Sequence, residues 1–227
     1  MANSLRNLPT NTSLQRSSLK DQAVSTLRQH IISGEISPGT QLVERDIAEI
    51  LNISRGPTRE ALIELENQGL VINERNRRHV INPSEPEVIA MFEVRSLLEK
   101  RAAERAAENT NLANQRALRA KLNIMEEAVL AQDRTAFVLA DLELHQLIWH
   151  QSGNAYLDSV LNTMSGPIFV AIVNGTFQGF DWDETVELHR NLVDSINSGD
   201  VELAGRLANS NMEDALSRNR IYSAKQK

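Results

Sequence analysis

From residue 85 onward the chain repeats one pattern six times: apolar residues three and four apart, broken only by short Asn, Gly, Asp or Ser punctuation. Segments 85–108, 114–131, 133–151, 155–173, 181–198 and 201–219 each carry an apolar stripe at the period of an α-helix, and no competing strand pattern lies between them. A helix with one apolar stripe must bury it against another element. This part of the chain is therefore predicted to be an all-α bundle.

The N-terminal part is patterned differently. Ala23, Val24, Leu27, Ile31 and Ile32 place an amphipathic helix over Leu19–Ser33, and Gly34 is suited to end it. "SPGTQL" (37–42) follows as a turn with a very short strand. A second helix over Glu44–Leu51 turns Ile47, Ala48 and Leu51 inward, and "NIS" breaks it. Ser54 then stands as N-cap of a third helix, Arg55 to about Asn67, with Pro57 tolerated in its first turn and Leu62 and Leu65 as core anchors. Beyond Gly69, Leu70–Ile72 and His79–Ile81 read as two short strands around a basic tip. Three short helices and a hairpin make a winged helix-turn-helix, an α+β module preceding the all-α one.

Such a module suggests double-stranded DNA. Arg55 and Arg59 recur on one face of the third helix, where they can reach guanine edges or phosphates, and Pro57 stiffens the approach. Arg45 can grip the backbone, and Arg77 and Arg78, expected at the hairpin tip, can lie along the adjacent minor groove. Thr58 either touches DNA or packs between helices; His79 is expected half-buried at the base of the wing. The plainer alternative is a solvated helix face on which Glu60 and Glu66 partly neutralise the arginines. The net charge of -6 does not oppose DNA, because residues 1–80 hold ten Lys/Arg against nine Asp/Glu while the remainder holds fourteen against twenty-one. The acidic excess belongs to the helical part.

Composition removes other classes. With no cysteine the chain has no disulfide, thiolate nucleophile or cysteine zinc site. No apolar run is long enough to span a bilayer, which favours a cytoplasmic protein without a membrane partner. Residues 1–18 read as a flexible polar arm, 19–81 as the DNA-binding domain, 82–88 as linker, 89–221 as the helical domain and 222–227 as a tail.

The helical part holds one further constellation. Asp141 and His145 lie one turn apart at the edge of the stripe formed by Phe137, Ala140, Leu144, Leu147 and Ile148, and His189 sits among Val186, Val193 and Ile196. A carboxylate bordering a core needs compensation, and a divalent ion held by these three supplies it. A polar patch with an ordinary half-buried histidine is the alternative. Water activated by such an ion would be hydrolytic, but no general base or nucleophile accompanies the set, so an enzyme is not expected.

"LRQHIISGEISPGTQLVERDIAEILNISRGPTREALIELENQGLV" (27–71) resembles the DNA-binding domain of the GntR family of bacterial transcription regulators. The resemblance implies DNA contacts at Arg45, Arg55 and Arg59; the wing, "NRRHV", lacks the glycine often found there. Residues 84–220 resemble the all-helical FCD effector domain through "MFEVRSLLEKRAAERAA", "DLELHQLIWHQSGN" and "HRNLVDSINSGD", and six helices match the vanillate-regulator-type subgroup. Metal-containing members place ligands at positions corresponding to Asp141, His145 and His189, with a last histidine where this chain has Asn211. The implied ion is zinc, with nickel or manganese as alternatives. The same four residues and Arg95 would meet an effector, by family analogy a small organic acid. The expectation is a homodimeric, ligand-responsive repressor; a constitutive DNA-binding protein is the alternative and a metal-dependent hydrolase a remote one.

Overall fold

The computed structural model describes residues 18–173 and 181–225; nearly all of the expected polar arm lies outside the described residues. The chain order is α1 (Leu19–Ile32), α2 (Glu44–Ile50), α3 (Arg55–Asn67), β1 (Val71–Glu74), β2 (Arg77–Val80), α4 (Glu85–Glu108), α5 (Leu112–Leu130), α6 (Arg134–Gln151), α7 (Ala155–Val173), α8 (Trp182–Ser198) and α9 (Val201–Lys225). Among the described residues no helix is long and apolar enough to cross a membrane.

The N-terminal module is the expected winged helix-turn-helix. Ser18 and Asp21 cap α1 reciprocally, and its Val24, Leu27 and Ile31 pack on Leu62 and Leu65 of α3 with Leu70 and Val80 closing the core. The wing differs from expectation. Its antiparallel strands pair from Val71↔Val80 to Glu74↔Arg77, leaving a two-residue tip of Arg75 and Asn76 with φ of 50° and 64°. A pair of left-handed residues makes the tight turn whose twist suits a hairpin, so the strands run further toward the tip than periodicity suggested. Arg77 and Arg78 are consequently strand residues of β2 and not tip residues. The short strand expected near "SPGTQL" is a single bridge, Gln41↔His79.

The expected linker is shorter than residues 82–88, because α4 already starts at Glu85. Ser84 and Glu87 form a capping box, with the Ser84 amide donating to Glu87 Oε2 at 2.8 Å, and Pro86 occupies the first turn. The expected tail is also shorter: α9 continues to Lys225. Between these limits lies a six-helix bundle in which α4 packs on α9, α7, α6 and α8, and α5 packs on α6 and α8. Phe92 and Trp149 are buried, and Phe137 stacks on Trp182 with ring centroids 5.4 Å apart.

The two modules meet at the C-terminal end of α3. Gly69 has φ of 68°, and a Cβ there would lie 2.2 Å from the Thr163 carbonyl oxygen on α7. From the other side, a Cβ on Gly166 would lie 2.3 Å from the Gln68 carbonyl oxygen. Thr163 Oγ1 also donates to the Asn67 carbonyl at 2.9 Å. Two backbones are thus in direct contact, and only glycine fits on either. Replacing Gly166 with alanine is expected to cost about 1–3 kcal/mol through overpacking, measurable by urea denaturation; unchanged stability would mean that this contact does not hold the modules together in solution.

Candidate metal centre and nucleic-acid interface

The reading module presents an exposed arginine face. The side chains of Arg45 and Arg59 are 70% and 62% exposed, and Arg55 and Arg77 are exposed as well. Two expected contact residues are placed otherwise. Thr58 is fully buried and its hydroxyl donates to the Ser54 carbonyl at 3.0 Å, so it packs inside the module and does not reach DNA. Arg78 is largely covered: its Nη1 donates to Glu44 Oε1 at 2.7 Å and its Nε to Glu66. Arg59 is paired with Glu44 and not with Glu60 or Glu66, its Nε and Nη2 both donating to that carboxylate. His79 is half-buried, facing Ile72 across the hairpin. Glu44 was not singled out in the sequence; its partners are Arg59, fifteen residues away, and Arg78, thirty-four residues away.

In the helical domain the three separated residues do converge. One ligand atom from each of Asp141, His145 and His189 lies within 4.8 Å of the others. Helical spacing places Asp141 and His145 on the same face of α6, and α8 brings His189 opposite them. His189 Nε2 is 3.0 Å from Asp141 Oδ1 and 3.1 Å from His145 Nε2. The outer nitrogens face acceptors: His189 Nδ1 is 2.7 Å from the Thr185 carbonyl oxygen, and His145 Nδ1 lies 3.2 Å from Glu99 Oε1 in a charge contact that is not aligned as a hydrogen bond. Both partners can only accept, so Nδ1 carries the proton on each ring. Two bare Nε2 lone pairs and a carboxylate oxygen then face one another with no donor between them, and Asp141 Oδ1 has no hydrogen bond. That is a donor set for a cation.

With the rings protonated instead, the same groups pair by charge. Burial alone would raise the Asp141 carboxyl, but the charges of His189, His145 and Arg95 hold it below its ordinary value. Burial would lower His189, and the Asp141 carboxylate outweighs this and raises it. Behind His145, Glu99 is fully buried; burial pushes it up, yet the charges of His145 and Arg95 and a hydrogen bond from Trp149 bring it down to about 2. Trp149 Nε1 donates to Glu99 Oε2 at 2.8 Å, and Arg95 Nε donates to Glu99 Oε1 at 2.9 Å. Sequence reasoning missed Glu99, although its place one turn after Arg95 in "VRSLLEK" was a usable signal. Arg95 is therefore tied within its own helix, and its guanidinium lies over the rings of Trp149 and Phe169.

Asn211 lines the same space. Its Nδ2 donates to the Leu188 carbonyl at 3.3 Å, and its Oδ1 is buried without a partner. The cavity is bordered by Arg95, Asp141, His145, His189 and Asn211 on its polar side and by Phe92, Ile168, Phe169 and Ile172 on its apolar side. It gives about 40 Å³ to the centres of water-sized molecules.

Residues 19–81 match the model described as "Bacterial regulatory proteins, gntR family", and residues 90–214 match the FCD domain. The chain belongs to the GntR family, with an FCD domain. It joins a family of transcription regulators rather than enzymes. One relative of this GntR regulator is the "Probable D-xylose utilization operon transcriptional repressor" of Paenarthrobacter nicotinovorans, 28% identical, with 86% of each chain covered. Another is the "Galactonate operon transcriptional repressor" of Escherichia coli (strain K12), 28% identical over 83% of this chain and 91% of the relative. The solved structure of E. coli McbR/YncC shares the fold, with a TM-score of 0.75 and 19% identity over 93% of this chain and 100% of the other.

Because Glu99 holds His145 through Nδ1, Glu99→Gln should weaken divalent-metal binding by about 10- to 100-fold with every ligand still present, as read by competition with a chromophoric chelator. His145→Ala combined with His189→Ala should abolish binding in the same assay. A double variant that still retains metal would remove these residues from the ligand set.

Proposed function

We propose that this regulator is a homodimeric repressor whose DNA affinity is set by a small carboxylate bound beside a divalent ion in the FCD domain. The observation that carries the reading is the convergence of two imidazole Nε2 atoms and the Asp141 carboxylate on the wall of a cavity whose α7 residues directly follow the contact of that helix with the winged helix. Imidazole with carboxylate suits zinc first, with nickel and manganese as alternatives. Asp141, His145 and His189 would hold the ion, and the unpartnered Oδ1 of Asn211 is available as a weaker fourth donor. The ion would supply an electrophilic coordination position.

Charge favours an acid as effector. Arg95 offsets Glu99, and Arg218 is paired with Asp214 at the edge of the cavity, leaving the Asp141 charge to be matched. A divalent ion overcompensates by one, and a monocarboxylate restores neutrality in a site where unpaired charge is costly. Galactonate, which names one relative's operon, is itself a carboxylate. At the other end Arg45, Arg55, Arg59 and Arg77 would meet operator DNA, with Arg78 fixing the wing.

The test combines both ends. A duplex selected from a random pool by the zinc-loaded chain is titrated by fluorescence anisotropy with and without each of a panel of short hydroxy- and keto-acids. One acid is expected to weaken binding by roughly 5- to 150-fold, and His189→Ala should keep DNA affinity while losing that response. The reading fails if the acids have no effect on the zinc-loaded protein, or if His189→Ala responds as the native chain does. Asn211→His is expected to tighten zinc, since imidazole is a stronger donor than an amide oxygen.

A further inference from the structure

Four charged side chains in the winged helix form a single chain of alternating sign: Glu66, Arg78, Glu44 and Arg59. They join three separate elements, since Glu66 and Arg59 lie on α3, Arg78 on β2 and Glu44 at the first position of α2. The interior members are the covered ones. Arg78 is 17% exposed and Glu44 24%, whereas Arg59 is 62% exposed. Glu44 is thus held from behind by Arg78 and holds Arg59 in front.

The way Glu44 holds Arg59 is specific. Arg59 Nε lies 3.1 and 3.2 Å from the two carboxylate oxygens of Glu44, and Nη2 lies 3.1 Å from Oε2. A guanidinium has five N–H donors arranged along two usable edges, one made by Nε and Nη2 and the other by Nη1 and Nη2. Glu44 occupies the first edge. The second remains available, and its two parallel donors are the group that pairs with O6 and N7 of guanine.

We infer that Glu44 is a positioning residue that presents the outer edge of Arg59 to a guanine, making Arg59 the base-reading arginine of this surface. The inference rests on the DNA-binding reading proposed above and assigns separate roles within it. Two arguments support the division. First, a side chain already ordered by a bidentate carboxylate loses less freedom on docking than a mobile arginine does. Second, the Glu66–Arg78–Glu44–Arg59 chain is neutral as a whole, and a carboxylate beside the guanidinium opposes close approach of a phosphate. A base edge in the major groove bears no such charge. Arg55 and Arg77 make no side-chain ion pair among the described residues and retain full attraction for phosphate.

The experiment uses the full chain. Native protein enriches duplexes from a random pool, and the enriched duplex is then resynthesised with 7-deazaguanine at one guanine at a time, which deletes N7 and nothing else. The native chain, Glu44→Gln, Arg59→Ala and the double variant are titrated against each duplex at several salt concentrations. At one guanine position the native chain should lose about 5- to 150-fold in affinity, while Arg59→Ala is indifferent there. Glu44→Gln should lose most of that sensitivity and gain salt dependence as the released Arg59 turns to phosphate, and the double variant should match Arg59→Ala at that guanine. A Glu44→Gln protein that senses the same guanine as strongly as the native chain overturns the inference, as does one that binds every duplex evenly tighter. Matching thermal melts exclude misfolding as the cause. Failure of the native chain to enrich any sequence would instead strike the DNA-binding reading itself.

Discussion

A carboxylate removed from water persists as an anion only when donors replace its hydration, and Glu99 is such a group. Its partners come from two helices: Arg95 from its own α4, and Trp149 and His145 from α6. Satisfying it fixes the rotation of α6 about its axis relative to α4. That rotation carries Asp141, one turn before His145, to the cavity wall where α8 delivers His189. The site geometry is therefore a consequence of solvating one buried charge. The three side chains need no special loop to meet.

The reading module uses a related arrangement under different conditions. Glu44 also collects arginines from two other elements, but near water, where an ion pair contributes little to stability. What it contributes there is orientation. The buried cluster fixes helices and the exposed one fixes a side chain, because the same type of contact has a much larger energetic consequence away from solvent.

Much of this was legible from residue spacing. Glycine, proline and N-cap positions placed the helices of both modules to within a residue or two, apart from the C-terminal end of α9, since those signals act within one turn of the chain. Asp141, His145 and His189 could be brought together because two of them share a helix face and the third lies on an equally marked stripe. The wing was misread for a local reason: Arg75 and Asn76 adopt left-handed backbone conformations without a glycine to announce them. Thr58 was left open because burial of a small polar residue depends on what packs over it. Glu44 and Glu99 were overlooked because a charged residue in a helix looks solvated until its distant partners are known, fifteen residues away for Arg59 and fifty for Trp149.

The contact between Gly69 and Gly166 sets how the modules communicate. Side-chain contacts are compliant, since a rotamer change absorbs a shift of an ångström or so. Here main chain rests on main chain with nothing between. Within two turns further along α7, Ile168, Phe169 and Ile172 form the apolar wall of the cavity. Such a joint behaves as a bearing surface: the last turn of α3 must follow any axial slide of α7 or separate from it. The angle at which α3 meets the bundle is then a property of the cavity wall as much as of the winged helix itself.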